Sequence, residues 1–128
     1  MTPAGAIHRA LLDDVRLQQF TRDIYLFVGK GDRFIALNCS ESPLSSIGSI
    51  SGSRLTATVT AWAKDYDEAH AISSAVIAAL NGVSIAEEGV NLDGLQHESG
   101  PTDKFSELAS GEIIFAIENN FSAQVRRV

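Results

Sequence analysis

The side chains best suited to chemistry in this 128-residue sequence are three histidines, His8, His70 and His97, and one cysteine, Cys39. With them goes a stretch in which Asp93, His97, Glu98 and Asp103 offer four oxygen or nitrogen donors. Such donors suit a divalent cation. A calcium loop, however, spaces its ligands by a fixed template, and a zinc site pairs His or Cys at short intervals. Neither pattern fits these four residues, and no histidine stands at a ligand spacing from another His or Cys. The expectation is solvated loop positions, with no metal and no cofactor. Nucleophilic catalysis needs an activated Ser, Thr or Cys, yet there is no Gly-x-Ser-x-Gly elbow and Cys39 has no histidine beside it in sequence. A free cysteine of this kind reads as a small, half-buried strand residue. Gly29-x-Gly31 would suit a phosphate cradle only if a helix followed, and strand-like Arg33-Phe34-Ile35-Ala36 follows instead, so a plain turn is expected. Asn38-Cys39-Ser40 and Asn120-Phe121-Ser122 match the glycosylation acceptor pattern, which has meaning only on a secretory route. With no constellation for catalysis, the chain is not expected to be an enzyme.

The elements that would position these residues follow from periodicity. Thr2-Pro3 is a cap and first-turn signal, and Ile7, Leu11 and Val15 then recur at helical spacing. "DIYLFV" and "RFIALNC", separated by Gly29-Lys30-Gly31-Asp32, read as two short strands that could form a hairpin. From Ser40 to Ser53 a serine-rich segment reads as a long loop. The clearest strand runs from Arg54 to Ala63: Leu55, Ala57, Val59, Ala61 and Ala63 alternate with Arg54, Thr56, Thr58, Thr60 and Trp62. Its small apolar face calls for a helix, and Asp65, Asp67 and Glu68 start one whose stripe is Ala69, Ile72, Val76, Ala79 and Leu80, stopped by Asn81-Gly82. Val90 and Leu92 alternate as a strand, a loop is expected through Gly100-Pro101, and "GEIIFAIENNF" reads as the last strand. "FSAQVRRV" follows as a solvated tail or, through Arg126 and Arg127, a basic arm for an acidic neighbour. Residues 1–128 thus make one α+β domain, a mixed or mainly antiparallel sheet with two helices packed on one face.

Composition narrows function by exclusion. The net charge of −6 argues against a surface that grips phosphates. From Gly82 to Glu118 eight acids face one lysine, −8 + 1 = −7, against −8 + 9 = +1 elsewhere, so the carboxy-terminal third is an acidic block. Glu87, Glu88, Asp93 and Glu98 within it are candidate interface or channel-lining residues, as are Trp62, on the strand face away from the helix, and Arg126 and Arg127. The apolar runs Ile24–Val28 and Ile113–Ile117 are too short to span a bilayer, and no basic-then-apolar leader is visible, so neither membrane insertion nor secretion is expected. One cysteine agrees with a reducing cytoplasm.

At "RLTATVTAWAKDYDEAHAISSAVIAALNG", Arg54 to Gly82, the sequence resembles the phage minor tail protein family that includes tail terminator and tail completion proteins of long-tailed phages and gene transfer agents. The resemblance lies in Trp62-Ala63 at the strand end, the Lys64-Asp65-Tyr66 step, the Glu68-Ala69 helix start and the Ala79-Leu80-Asn81-Gly82 helix end. Family members commonly begin an earlier strand with Pro-Tyr, where this chain has Arg33-Phe34-Ile35-Ala36. The resemblance implies a virion protein assembled in the host cytoplasm, a subunit of a hexameric ring that caps the head-proximal end of the tail tube. It implies three protein partners: further copies of itself, the tail tube protein and the head-completion or connector protein. DNA would be a passing strand in the channel, and acid there would repel its phosphates. Two other readings stay open: a neck, head-closure or tail-tube subunit, and a dimeric small-ligand-binding or regulatory α+β domain with a pocket between helix and sheet.

Overall fold

The fold is that of a computed structural model, which describes residues 1–43 and 52–127. Two caps divide the amino-terminal segment into two helices. Thr2 accepts the Gly5 N–H at 3.0 Å and opens α1 (Pro3–Leu12), which buries Ala6, Ile7 and Leu11. The expected stripe does not continue to Val15. Asp14 accepts the Leu17 N–H at 3.0 Å and starts a separate short helix, α2 (Val15–Gln18), so that Val15 stands 70% exposed and Leu17 takes the buried place.

The strands are β1 (Ile24–Leu26), β2 (Arg33–Pro43), β3 (Ser53–Ala63), β4 (Ile85–Glu87), β5 (Val90–Glu107) and β6 (Ile113–Arg127), with α3 (Tyr66–Leu80) between β3 and β4. They form one sheet in the order β1-β2-β3-β6-β5-β4, antiparallel except for β1 beside β2. As expected, the fold is α+β with a mixed sheet. Leu55, Ala57, Val59, Ala61 and Ala63 of β3 are at most 1% exposed and lie under α3, whose Ala69, Ile72, Val76 and Leu80 are buried in turn. Small side chains on the strand let the helix backbone approach. The sheet curls, because α1 touches both edge strands, β1 and β4.

One buried polar chain fixes the helix on the sheet. Asn119 of β6, 1% exposed, donates through Nδ2 to Ser73 Oγ of α3 at 2.6 Å, and its Oδ1 accepts from His97 Nε2 at 3.0 Å. Among the described residues no buried side-chain nitrogen or oxygen lacks a partner.

Four further expectations are corrected. "DIYLFV" and "RFIALNC" do not form a hairpin: β1 runs parallel to β2, with Ile24 beside Ile35 and Leu26 beside Leu37. The proposed loop from Ser40 begins later, since Ser40 to Pro43 pair with Thr56 to Ser53; residues 44–51 lie outside the described residues. No loop interrupts the chain at Gly100-Pro101. β5 runs through them by irregular steps between Asp93 and Thr102, and Gly100, at φ +100°, lies so close to the Glu118 carbonyl and to Asn119 that a Cβ would not fit. Finally, the terminal segment is not a loose tail. Gln124, Arg126 and Arg127 pair in β6 with Asp93, Asn91 and Val90.

Candidate functional site

The parallel pairing of β1 and β2 creates an unusual surface. Leu26 ends β1 level with Leu37, yet the chain must return to Arg33 to begin β2. Parallel neighbours are ordinarily joined through a crossover of a dozen or more residues. Here residues 27–32 suffice because β1 has only three residues. Phe27, at φ +73°, turns the chain out of β1 while its N–H still reaches the Leu37 carbonyl at 2.9 Å. The return passes over the outer face of the sheet, away from the helices. Gly29 lies against the rings of Phe34 and Tyr25, and a Cβ there would collide with Phe34.

Under this crossing, outward-facing residues of three strands meet. Phe34 of β2 pairs across the sheet with Trp62 of β3, which pairs with Ala116 of β6. The Phe34 and Trp62 rings are stacked at 5.6 Å with 14° between planes, and Tyr25 meets Phe34 edge-on at 5.9 Å. The far wall is the tip of the β5–β6 hairpin, through Ser106, Leu108 and Ile114. Together these groups enclose an open concavity of about 530 Å³, with Phe27 and Val28 on its rim, 69% and 82% exposed. Adjacent, exposed apolar side chains of this size are the kind of surface found at protein contacts.

Lys64, just past the end of β3, holds the two walls together. Its Nζ lies 3.3 Å from Asp32 in the β1–β2 crossing and 3.0 Å from Glu112 at the hairpin tip. The bonds to Glu112 and then Asp32 push its pKa upward, so the clamp carries its charge throughout the neutral range.

On the other face of the same hairpin tip, Phe105 pairs with Phe115 and is 71% exposed, and Ile113 is 47% exposed. The helix layer stops at Tyr66, whose ring meets Phe115 at 5.4 Å, so the arm outruns its cover. Beside this edge Asp103 accepts from Tyr66 Oη at 2.5 Å and from His70 Nε2 at 2.9 Å. The Tyr66 bond, with that of His70 behind it, holds the Asp103 carboxyl below the usual carboxylate range.

The residues singled out from sequence are distributed as follows. Trp62 is in the apolar concavity. Glu87, Asp93, Glu98 and Arg126 are at the opposite end of the sheet. There Arg126 grips Asp93 through Nε at 2.5 Å and Nη2 at 3.0 Å, holding the Asp93 carboxyl below its ordinary range. Glu98 meets Ser122 and lies 3.8 Å from Arg54, and Glu87 lies 3.9 Å from Arg9. Glu88 is exposed in the β4–β5 turn, its carbonyl 3.4 Å from the amino terminus. Arg127 ends β6 beside Val90. The supposed acidic block is therefore not a bare acidic face: Glu112 and Glu118 are also paired, with Lys64 and Lys104. Of the four conceivable metal ligands, Asp93, His97, Glu98 and Asp103, each binds a different partner and no three share a site. Among the described residues no group of three or more His, Cys, Asp or Glu is placed to hold a metal ion. Cys39 is half-buried in β2, and burial first, then Glu41, pushes its thiol up to about 11, away from nucleophilic use.

Sequence reading missed Phe27, Val28, Phe34, Leu108 and Ile114. The available signal was an apolar residue on the otherwise polar outward register, as Trp62 is on β3; what it lacked was the antiparallel β2–β3 register that sets Phe34 beside it.

The chain matches no protein-family model and no curated protein sequence. Among solved structures its fold is similar to that of a chain from the virion of a native gene transfer agent (GTA) particle. That likeness has a TM-score of 0.74 at 18% sequence identity and covers 98% of this chain and 95% of that one.

Proposed function

We propose that this chain is a structural virion protein with no catalytic role, a tail terminator or tail completion subunit. In this reading it forms a hexameric ring at the head-proximal end of the tail tube. The ring contacts further copies of itself, the tube protein and the head-completion or connector protein, and is assembled in the host cytoplasm. The observation that carries the virion reading is the likeness to a GTA virion chain along nearly the whole length of both chains. The finer assignment draws its support from the resemblance at Arg54 to Gly82, because those residues are β3 and α3, the strand and helix at the centre of the core. A ring of identical copies requires a heterologous contact between two different surfaces, and the exposed apolar groups on both faces of the hairpin tip supply two. The acidic excess, −6 overall, has the sign that keeps a passing DNA strand from adhering.

The dimeric ligand-binding reading needs a pocket between helix and sheet. Among the described residues, Leu55 of β3 and Ile72 of α3, both 0% exposed, fill the space where that strand and helix meet, so nothing there favours the rival. Light scattering across concentration tests the proposal. Six copies of 13.7 kDa give about 82 kDa, and two give about 27 kDa. A ring that caps purified tail tubes in electron micrographs is the expected result. A stable 27 kDa dimer that ignores tubes would overturn it, and copies incorporated along the tube would assign a tube subunit instead.

A further inference from the structure

We infer that the hairpin tip of one copy seats in the concavity of the next, Phe105 and Ile113 entering between Val28, Trp62 and Ile114, with Glu107 of the tip meeting Lys30 at the rim. The inference rests on the ring reading and names its contact. Strand alternation places the parts. Leu108 N–H bonds to the Glu112 carbonyl at 2.7 Å, and Phe105, Glu107 and their partners Phe115 and Ile113 fall on the helix-side face of the arm. Ser106 and Ile114 fall on the outer face, where they wall the concavity. One strand pair therefore carries an apolar knob on its front and half of an apolar socket on its back. Two such surfaces cannot meet within one copy, nor does a two-fold dimer need both at one contact; face-to-back succession uses each once per copy and continues around a ring.

Charge favours the same pairing. Lys30 lines the socket, Glu107 flanks the knob, both are exposed, and neither has an ion pair among the described residues. Other charges near them are already engaged: Asp32 and Glu112 with Lys64, and Asp103 with Tyr66 and His70. The socket, at about 530 Å³, has room for a ring and a branched aliphatic side chain.

Complementation tests it. Phe105→Asp spoils the knob and Val28→Glu the socket; both positions are exposed, so the fold should hold, as circular dichroism would check. Each variant alone should scatter at 13.7 kDa at concentrations where the wild-type chain forms the ring. Mixed one to one, the two should form a pair of about 27 kDa and stop, because one good knob meets one good socket. Lys30→Glu and Glu107→Lys should each weaken assembly about fivefold, and the two together in one chain should restore it. Variants that assemble like the wild type, or a mixture that stays at 13.7 kDa, would overturn this contact while leaving a wild-type ring intact. A wild-type chain that stays monomeric even on tail tubes would overturn the ring reading and the contact with it.

Discussion

The sheet has two unlike ends, separated along β6 by the ten residue steps from Ala116 to Arg126, roughly 33 Å at the rise of a strand. At the β4 end the charges are satisfied within the chain: Arg126 with Asp93, Arg54 with Glu98 and Ser122, Arg9 with Glu87. At the Trp62 end the charged clamp of Lys64 only frames an apolar hollow, and Phe27, Val28, Phe105 and Ile113 stay exposed. Acids adjacent in sequence have been scattered among cations, while apolar residues far apart in sequence have been gathered. The end whose groups lack partners is the end expected to bind another protein, and the paired end should contribute little to association.

The sharpest way to break that contrast is Phe34→Ala. Phe34 is on the outer face yet only 6% exposed, covered by the Gly29 crossing and stacked on Trp62. If the apolar end is built as core, its removal should cost about 3 kcal/mol in urea unfolding, as for other buried aromatics. A loss well under 1 kcal/mol would mean that the crossing does not pack there. Next in size is Asn119→Ala, between the two ends on the helix-side face. It strands the Ser73 hydroxyl and the His97 ring nitrogen and should cost about 2 kcal/mol, since a buried polar group without its partner keeps its desolvation penalty.

These two sites also mark what sequence could and could not show. The strand from Arg54 to Ala63 and the helix after it were legible because strict alternation and a helical stripe are local patterns, and both are buried where expected. Phe34 against Trp62 was not legible. Their contact depends on β2 lying antiparallel to β3 at one register, and the crossing that covers Phe34 depends on β1 lying parallel to β2; no local pattern specifies either. Val15 was misplaced for a local reason, since its i+4 spacing from Leu11 fitted the stripe while the Asp14 cap broke it. The acidic run was read correctly as composition. Its spatial meaning changed because β3, β5 and β6 place Arg54, Lys104 and Arg126 among those carboxylates.

A smaller effect sharpens the contrast through pH. Asp103, at the apolar end, has its carboxyl pKa depressed by Tyr66 foremost and then His70. A group whose folded-state pKa is depressed adds stability above its unfolded value and loses it as pH falls through the folded value. Wild type should therefore be more stable than Asp103→Asn at neutral pH, with the advantage shrinking as pH drops below about 4. Urea midpoints collected from pH 7 downward would show it, and a constant difference would mean that Asp103 acts by shape alone.

The smallest effect belongs to the charged end. Arg126→Ala removes a two-pronged grip on Asp93, but both side chains are solvent-accessible, 56% and 39%, so water replaces much of what is lost. The expected outcome is a slight drop in the urea midpoint that fades as salt approaches about 1 M, where screening acts within about 3 Å. Association should be unchanged, because the arginine is already engaged within its own chain. The scattering mass of Arg126→Ala is therefore the discriminating readout. If this substitution lowers the assembled mass while Val28→Glu does not, the paired end is the interface, and the roles assigned to the two ends must be exchanged.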